Sequence, residues 1–145
     1  MRRLQHIYQK HNGLEAVFAQ NQEAFSMQKS IHEFKKLFFD VPHATRTQKH
    51  ISDPLNNSAA KRINMYLRWM VRSNETSVDF GLWKQIKSSQ LIIPIDVHVS
   101  RVAKKLGILT RTQNDWQAAT AGKRRRDCEG TQTLSAHRVI FGDQR

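Results

Sequence analysis

Ser58-Ala59-Ala60-Lys61-Arg62-Ile63-Asn64-Met65-Tyr66-Leu67-Arg68-Trp69-Met70-Val71-Arg72 decides how this chain is read. Ala59, Ile63, Tyr66, Leu67 and Met70 share one face at helical spacing, while Lys61, Arg68 and Arg72 fall on another. Ser58 is a favourable N-cap, because its hydroxyl accepts hydrogen bonds from first-turn amides. The spacing therefore predicts an amphipathic helix over 59–72. Lys61 is out of place in its first turn, where helices favour Asp or Glu over a cation. Arg62 and Arg68 add like charge. All three effects favour the neutral amine, which is one way to make a lysine nucleophilic. A lysine on a phosphate-binding face is the alternative from position alone.

A second informative string carries an aspartate 35 residues after that lysine: Ile93-Pro94-Ile95-Asp96-Val97-His98-Val99-Ser100-Arg101-Val102-Ala103. An apolar run delivers a carboxylate to the start of a helix that carries Val99, Val102, Ala103 and Leu106 on one face, and Gly107 is a natural stop. Asp96 reads as an N-cap. The same capping bonds and the helix dipole would keep it ionised and rigid, which is what a fixed anion facing a developing cation requires.

Outward from these strings the pattern stays helical. Residues 3–10 form one helix or its end, and Asn12-Gly13 breaks it. Leu14, Val17 and Phe18 recur at helical spacing, and Ile31, Phe34, Leu37 and Phe38 predict an amphipathic helix over 27–39. Residues 40–58 read as irregular, 73–81 as a connector, 82–86 as a short helix, and 112–120 as an amphipathic segment anchored by Trp116. No strand alternation is convincing, and Pro94 argues against a central strand at 91–95. The expected fold class is all-α, with a domain over 1–120. Beyond it, 121–145 reads as a basic, disordered tail containing Lys123-Arg124-Arg125-Arg126.

Composition narrows the function classes. Lys and Arg number 24 against 12 Asp and Glu, a formal charge of +12, which favours a polyanionic partner. The single cysteine, Cys128, excludes an intramolecular disulfide and a cysteine-held zinc or iron–sulfur site within the chain, so a reducing compartment is expected. No apolar run approaches the ~20 residues of a membrane span, and the start lacks the apolar stretch of a signal peptide. The seven histidines are scattered, without a paired metal-ligand spacing. Neither metal nor cofactor is expected.

The Asp96 segment resembles the string that opens the catalytic-aspartate helix of the helix-hairpin-helix DNA glycosylases, a superfamily that includes endonuclease III and the 8-oxoguanine glycosylases. Residues 58–72, with Val78-Asp79-Phe80-Gly81-Leu82-Trp83, are similar to one branch of it. That branch is a bacterial family described as a domain of unknown function, itself similar to the archaeal 8-oxoguanine glycosylases of the AGOG type. The resemblance covers roughly residues 14–120 and is most specific over 61–106. It implies that Lys61 is the Schiff-base lysine, Asp96 the catalytic aspartate, and His98 a support for the helix start. Three departures stand out. Asp53-Pro54-Leu55-Asn56-Asn57-Ser58-Ala59-Ala60 replaces a Gly-x-Gly hairpin that admits a phosphate. The N-terminal helices are partly missing, so the chain is expected to begin inside the domain. A basic tail replaces the closing helical segment, as a reading-frame change would produce.

The resemblance implies a monomeric glycosylase, cytoplasmic and nucleoid-associated, that flips an oxidised base of the 8-oxoguanine class from duplex DNA. Lys61 would attack the sugar, with possible abasic-site lyase activity to follow. Expected phosphate contacts are Arg46, Lys49, Arg62, Arg68 and Arg101. Phe80 and Trp83 are candidates for the base pocket, since aromatics stack on an extruded base; ordinary core aromatics is the commoner reading of both. The rival readings are a non-catalytic DNA-binding module and an inactive truncated family member.

Overall fold

Apolar spacing of period 3.6 becomes helix throughout the computed structural model, which describes residues 2–21, 27–74 and 78–121. Helix α1, Arg2–Lys10, buries only Ile7, and α2, Leu14–Gln20, buries Val17 and Phe18. Helix α3, Gln28–Phe38, turns Ser30, Ile31 and Phe34 inward. Helix α4 is Lys61–Val71 and α5 is Val97–Lys105; residues 116–121 form a last short helix. Among the described residues there is no strand, only an isolated antiparallel bridge between Ser58 and Asp115. The fold class is all-α. The basic segment expected to be a tail lies outside the described residues from 122 onward.

The core is built around aromatic rings. Phe18 of α2 stacks on Phe34 of α3 at 4.6 Å between centroids and meets Trp83 at 5.8 Å. Tyr66 of α4 packs edge-on against the same Trp83 at 5.5 Å. Trp83 thus joins the α2–α3 layer to α4, and with this role it is 8% exposed. Each such ring buried contributes about 1.5–3 kcal/mol.

Two expectations change. The predicted helix over 82–86 does not form. Its amides find tertiary acceptors: Trp83 N–H donates to the Met70 carbonyl at 2.8 Å, and Lys84 and Gln85 N–H both donate to Glu15 Oε1 in α2. A short segment with that many external partners has no need of its own ladder. Helix α4 also starts later than predicted, at Lys61, and its N-cap position is Ala60 rather than Ser58. Ser58 is instead drawn into the bridge with Asp115, and its Oγ accepts from Ala60 N at 3.3 Å.

The stop of α5 follows expectation. Gly107 adopts φ 68°, its N–H donates to the Lys104 carbonyl, and Ile108 N–H reaches back to Ala103 at 2.9 Å. Gly81 also has positive φ, 60°, but a Cβ there would lie 2.8 Å from the Arg72 carbonyl, whereas one at Gly107 meets nothing within 4 Å. Gly107→Ala is therefore expected to cost about 1 kcal/mol in urea unfolding, the left-handed penalty alone. Gly81→Ala is expected to cost about 2–3 kcal/mol, because backbone must move as well. Equal losses at the two sites would contradict this account.

Candidate active site

The loop before α4 has no glycine, and it is held by side chains instead. Asp53 caps the 3-10 turn Pro54–Asn56 by accepting from Leu55 N at 3.0 Å, and both its carboxylate oxygens lie 3.0 Å from His32 Nδ1 on α3. Gln28 Nε2 donates to the Pro54 carbonyl at 3.1 Å. Asn57 then takes the left-handed conformation, φ 59°, as an Asn in place of a hairpin glycine can. Its Nδ2 donates to Asp115 Oδ2 at 3.0 Å, and its carbonyl accepts from Trp116 N at 3.2 Å. Ala60 is left-handed too, φ 44°, without a side chain that caps the helix. The chain therefore turns sharply into α4, and Lys61 is its first helical residue.

Asp115 anchors that loop from the far end of the chain. Arg111 grips it with Nε at 2.9 and 2.8 Å and Nη2 at 2.6 Å, and Asp115 caps the helix 116–121 by accepting from Ala118 N at 2.9 Å. The Arg111 guanidinium, with Ala118 N–H and Asn57, holds the Asp115 carboxyl down at about 2. Sequence reading missed this residue. The Arg111-x-x-x-Asp115 spacing and the capping position before Trp116 were visible; its partner Asn57, 58 residues away, was not.

Asp96 is placed as its sequence implies. Ile92 and Ile95, 2% and 6% exposed, fasten the run before it to the core. Asp96 is extended at φ −109°, ψ −177°, and its Oδ1 accepts from Val99 N at 2.8 Å. That amide, then Lys61, then the His98 N–H hold its carboxyl below the usual carboxylate range. The other oxygen, Oδ2, accepts from Lys61 Nζ at 3.3 Å. The starts of α4 and α5 thus face each other, with the lysine and the carboxylate 47% and 33% exposed. A surface ion pair of this kind contributes ~0–1 kcal/mol to stability.

The remaining candidates divide. Arg46 and Lys49 are exposed on the 3-10 turn Thr45–His50, Arg62 is exposed beside Lys61, and Arg101 is exposed on α5. Arg68 is turned inward: with Arg72 it pairs with Asp79, Nε at 3.4 and 3.5 Å respectively, and only 17% of its side chain is exposed. Its charge serves a buried carboxylate, so it neither faces a phosphate nor crowds Lys61 uncompensated. Trp83 is core, whereas Phe80 is 59% exposed. His98 is exposed and supports Asp96 through its backbone N–H. Among the described residues no group of three or more His, Cys, Asp or Glu is arranged to hold a metal, and no helix is long and apolar enough to cross a membrane.

No curated protein and no solved structure matches this chain. The profile of one family matches residues 1–124, which is most of its length. The chain accordingly belongs to the family described as Protein of unknown function (DUF2400).

Proposed function

We propose that this protein is a DNA glycosylase of the helix-hairpin-helix type, acting on an oxidised base of the 8-oxoguanine class in duplex DNA, with abasic-site lyase activity. The observation that carries the reading is the Lys61–Asp96 pair: two half-exposed groups from separate helix starts, 3.3 Å apart. A sugar C1′ attacked by Lys61 would lie beside a carboxylate that can stabilise its positive charge. The flipped nucleotide presents C1′ to the site. Lys61 gives up a proton, its neutral Nζ forms a bond to C1′, and the C1′–N bond to the base breaks, the base leaving with the electron pair and taking a proton. Ring opening gives an imine, and loss of a C2′ proton expels the 3′ phosphate. Because its capping bonds keep Asp96 a weak base, its main role is electrostatic, and the Lys61 proton is lost to solvent.

Binding would draw on Arg46, Lys49, Arg62 and Arg101 for phosphates, consistent with the +12 charge. The α4 start lacks a capping side chain, and its first amides supply a second kind of anion contact. In this reading the protein works as a monomer at the nucleoid. The test is borohydride reduction during incubation with an 8-oxoguanine duplex, which should trap the protein on DNA. Retained DNA binding with no trapped adduct on this substrate or on an abasic duplex removes the enzymatic reading. It leaves a non-catalytic DNA-binding module, a reading that the exposed Arg46, Lys49, Arg62 and Arg101 favour by themselves.

A further inference from the structure

Asn64 lies on the buried side of α4, about one turn after Lys61, and is 1% exposed. Its Nδ2 donates to the Ala59 carbonyl at 2.9 Å. A carbonyl can only accept, so the amide nitrogen must face it. Among the described residues nothing donates to Oδ1, which is buried as well. For the helix itself Asn is a poor choice. It is a weaker helix former than Leu or Ala, and a buried acceptor left unpaired opposes folding. Its value lies in the corner that it grips.

Ala is the best of helix formers, so local preference would run α4 back through Ala60 and Ala59. In such a helix the Ala59 carbonyl would accept from the Ile63 N–H. Asn64 takes that carbonyl with its side chain instead, and its own N–H donates to the Ala60 carbonyl at 3.0 Å. One residue thus holds both peptides that flank Ala60. Ala60 itself is left-handed, φ 44° and ψ 40°, a conformation that an alanine adopts only where its surroundings impose it. The corner matters for Lys61. Every Cα–Cβ bond in a helix tilts toward the N-terminus, so a side chain on the first helical residue leans past the helix end. There Lys61 Nζ meets Asp96 Oδ2 at 3.3 Å. With another turn of helix ahead of it, the lysine would lie along that turn rather than past its end.

We propose that Asn64 is a positioning residue for Lys61: it holds the Ala59 carbonyl, keeps Ala60 left-handed and so starts α4 at the lysine, aimed at Asp96. This deepens the Lys61–Asp96 reading above and rests on it. Asn64→Ala removes the grip and the unpaired acceptor together, so the urea midpoint is expected to stay close to that of wild type. At saturating protein, borohydride trapping on an abasic duplex is expected to slow about 10²-fold. The Kd for that duplex should stay within about twofold, since no charge is lost. Lys61 is followed separately, by NMR of its isotope-labelled dimethyl signal after reductive methylation, assigned by its absence in Lys61→Gln. Asp96→Asn should shift this signal in wild type and leave it unmoved in the Asn64→Ala background. Either wild-type trapping or a retained Asp96-dependent shift in Asn64→Ala overturns the inference, and so does a Lys61 signal that ignores Asp96 in wild type. Should Asn64→Ala fail to fold, Asn64→Leu, of similar shape, takes its place with the same expectations. Loss of trapping that only follows loss of folding in both variants also overturns the inference. A wild type that never traps, but whose Lys61 shift needs both Asp96 and Asn64, removes the glycosylase reading and leaves the placement of Lys61 by Asn64 standing.

Discussion

Lys61→Gln is expected to abolish the borohydride-trapped adduct completely while leaving the fold and most of the DNA affinity in place. The side chain is half-exposed and its one described ion pair is with Asp96, so its loss costs ~0–1 kcal/mol of stability. One positive charge disappears from a protein carrying twelve in excess, and the salt slope of binding should shrink by no more than about 1. The adduct, by contrast, needs a nitrogen nucleophile at that position, and glutamine has none. Lys61→Arg sharpens the test: it keeps the charge, lacks a nucleophilic amine at neutral pH, and should be equally silent. An adduct of undiminished yield in Lys61→Gln would mean that another amine reacts.

Asp96→Asn is the companion variant. Asn caps helices about as well as Asp, so the α5 start survives, and what is removed is the anion beside the sugar. Trapping rates should fall about 10²–10⁴-fold with binding little changed or slightly tighter, since a negative charge is lost. A variant with unaltered trapping kinetics would reduce Asp96 to a cap.

Asp115→Ala is expected to be the most destabilising of the substitutions considered, at about 2–4 kcal/mol. It removes the cap of the helix 116–121, the Asn57 hydrogen bond and all three hydrogen bonds of the Arg111 fork. The outer part of Arg111 can return to water, being 38% exposed, which keeps the loss below that of a fully buried pair. A fall in melting temperature of roughly 10 °C is the expected reading. Because the same carboxylate fastens Asn57 shortly ahead of Lys61, the α4 start should show faster amide exchange in this variant than α2 or α3.

The pH dependence of that anchor has a defined sign. The Asp115 carboxyl is held down at about 2 in the folded chain from an ordinary 3.8. A depressed carboxyl stabilises the fold above its unfolded value, and that contribution is lost as pH falls toward the folded value. The stability gap between wild type and Asp115→Asn, measured by urea midpoints, should be constant from pH 7 to about 5 and narrow between about 4 and about 2. Asp96 shifts in the same direction and narrows the gap to Asp96→Asn by the same rule. A gap that widens on acidification would contradict both assignments.

Local rules in the sequence determined much of this protein. The apolar stripe of Ile31 and Phe34 placed α3 within a residue at each end, and Asp96 and Gly107 marked the cap and stop of α5. Each depends only on groups a few residues apart, so composition and spacing suffice. What the tertiary structure alone decided are the contacts between distant segments. Glu15 took the amides that would have closed a helix at 82–86. Asp115 reached across 58 residues to hold Asn57 and drew Ser58 away from the capping position. Asp79 turned Arg68 from a candidate phosphate ligand into a partner for a buried acid. Lys61 was legible as an unusual first-turn residue and Asp96 as an N-cap, but their 3.3 Å approach was not. It follows from where the packed core sets two helix starts, a non-local outcome that no periodicity encodes.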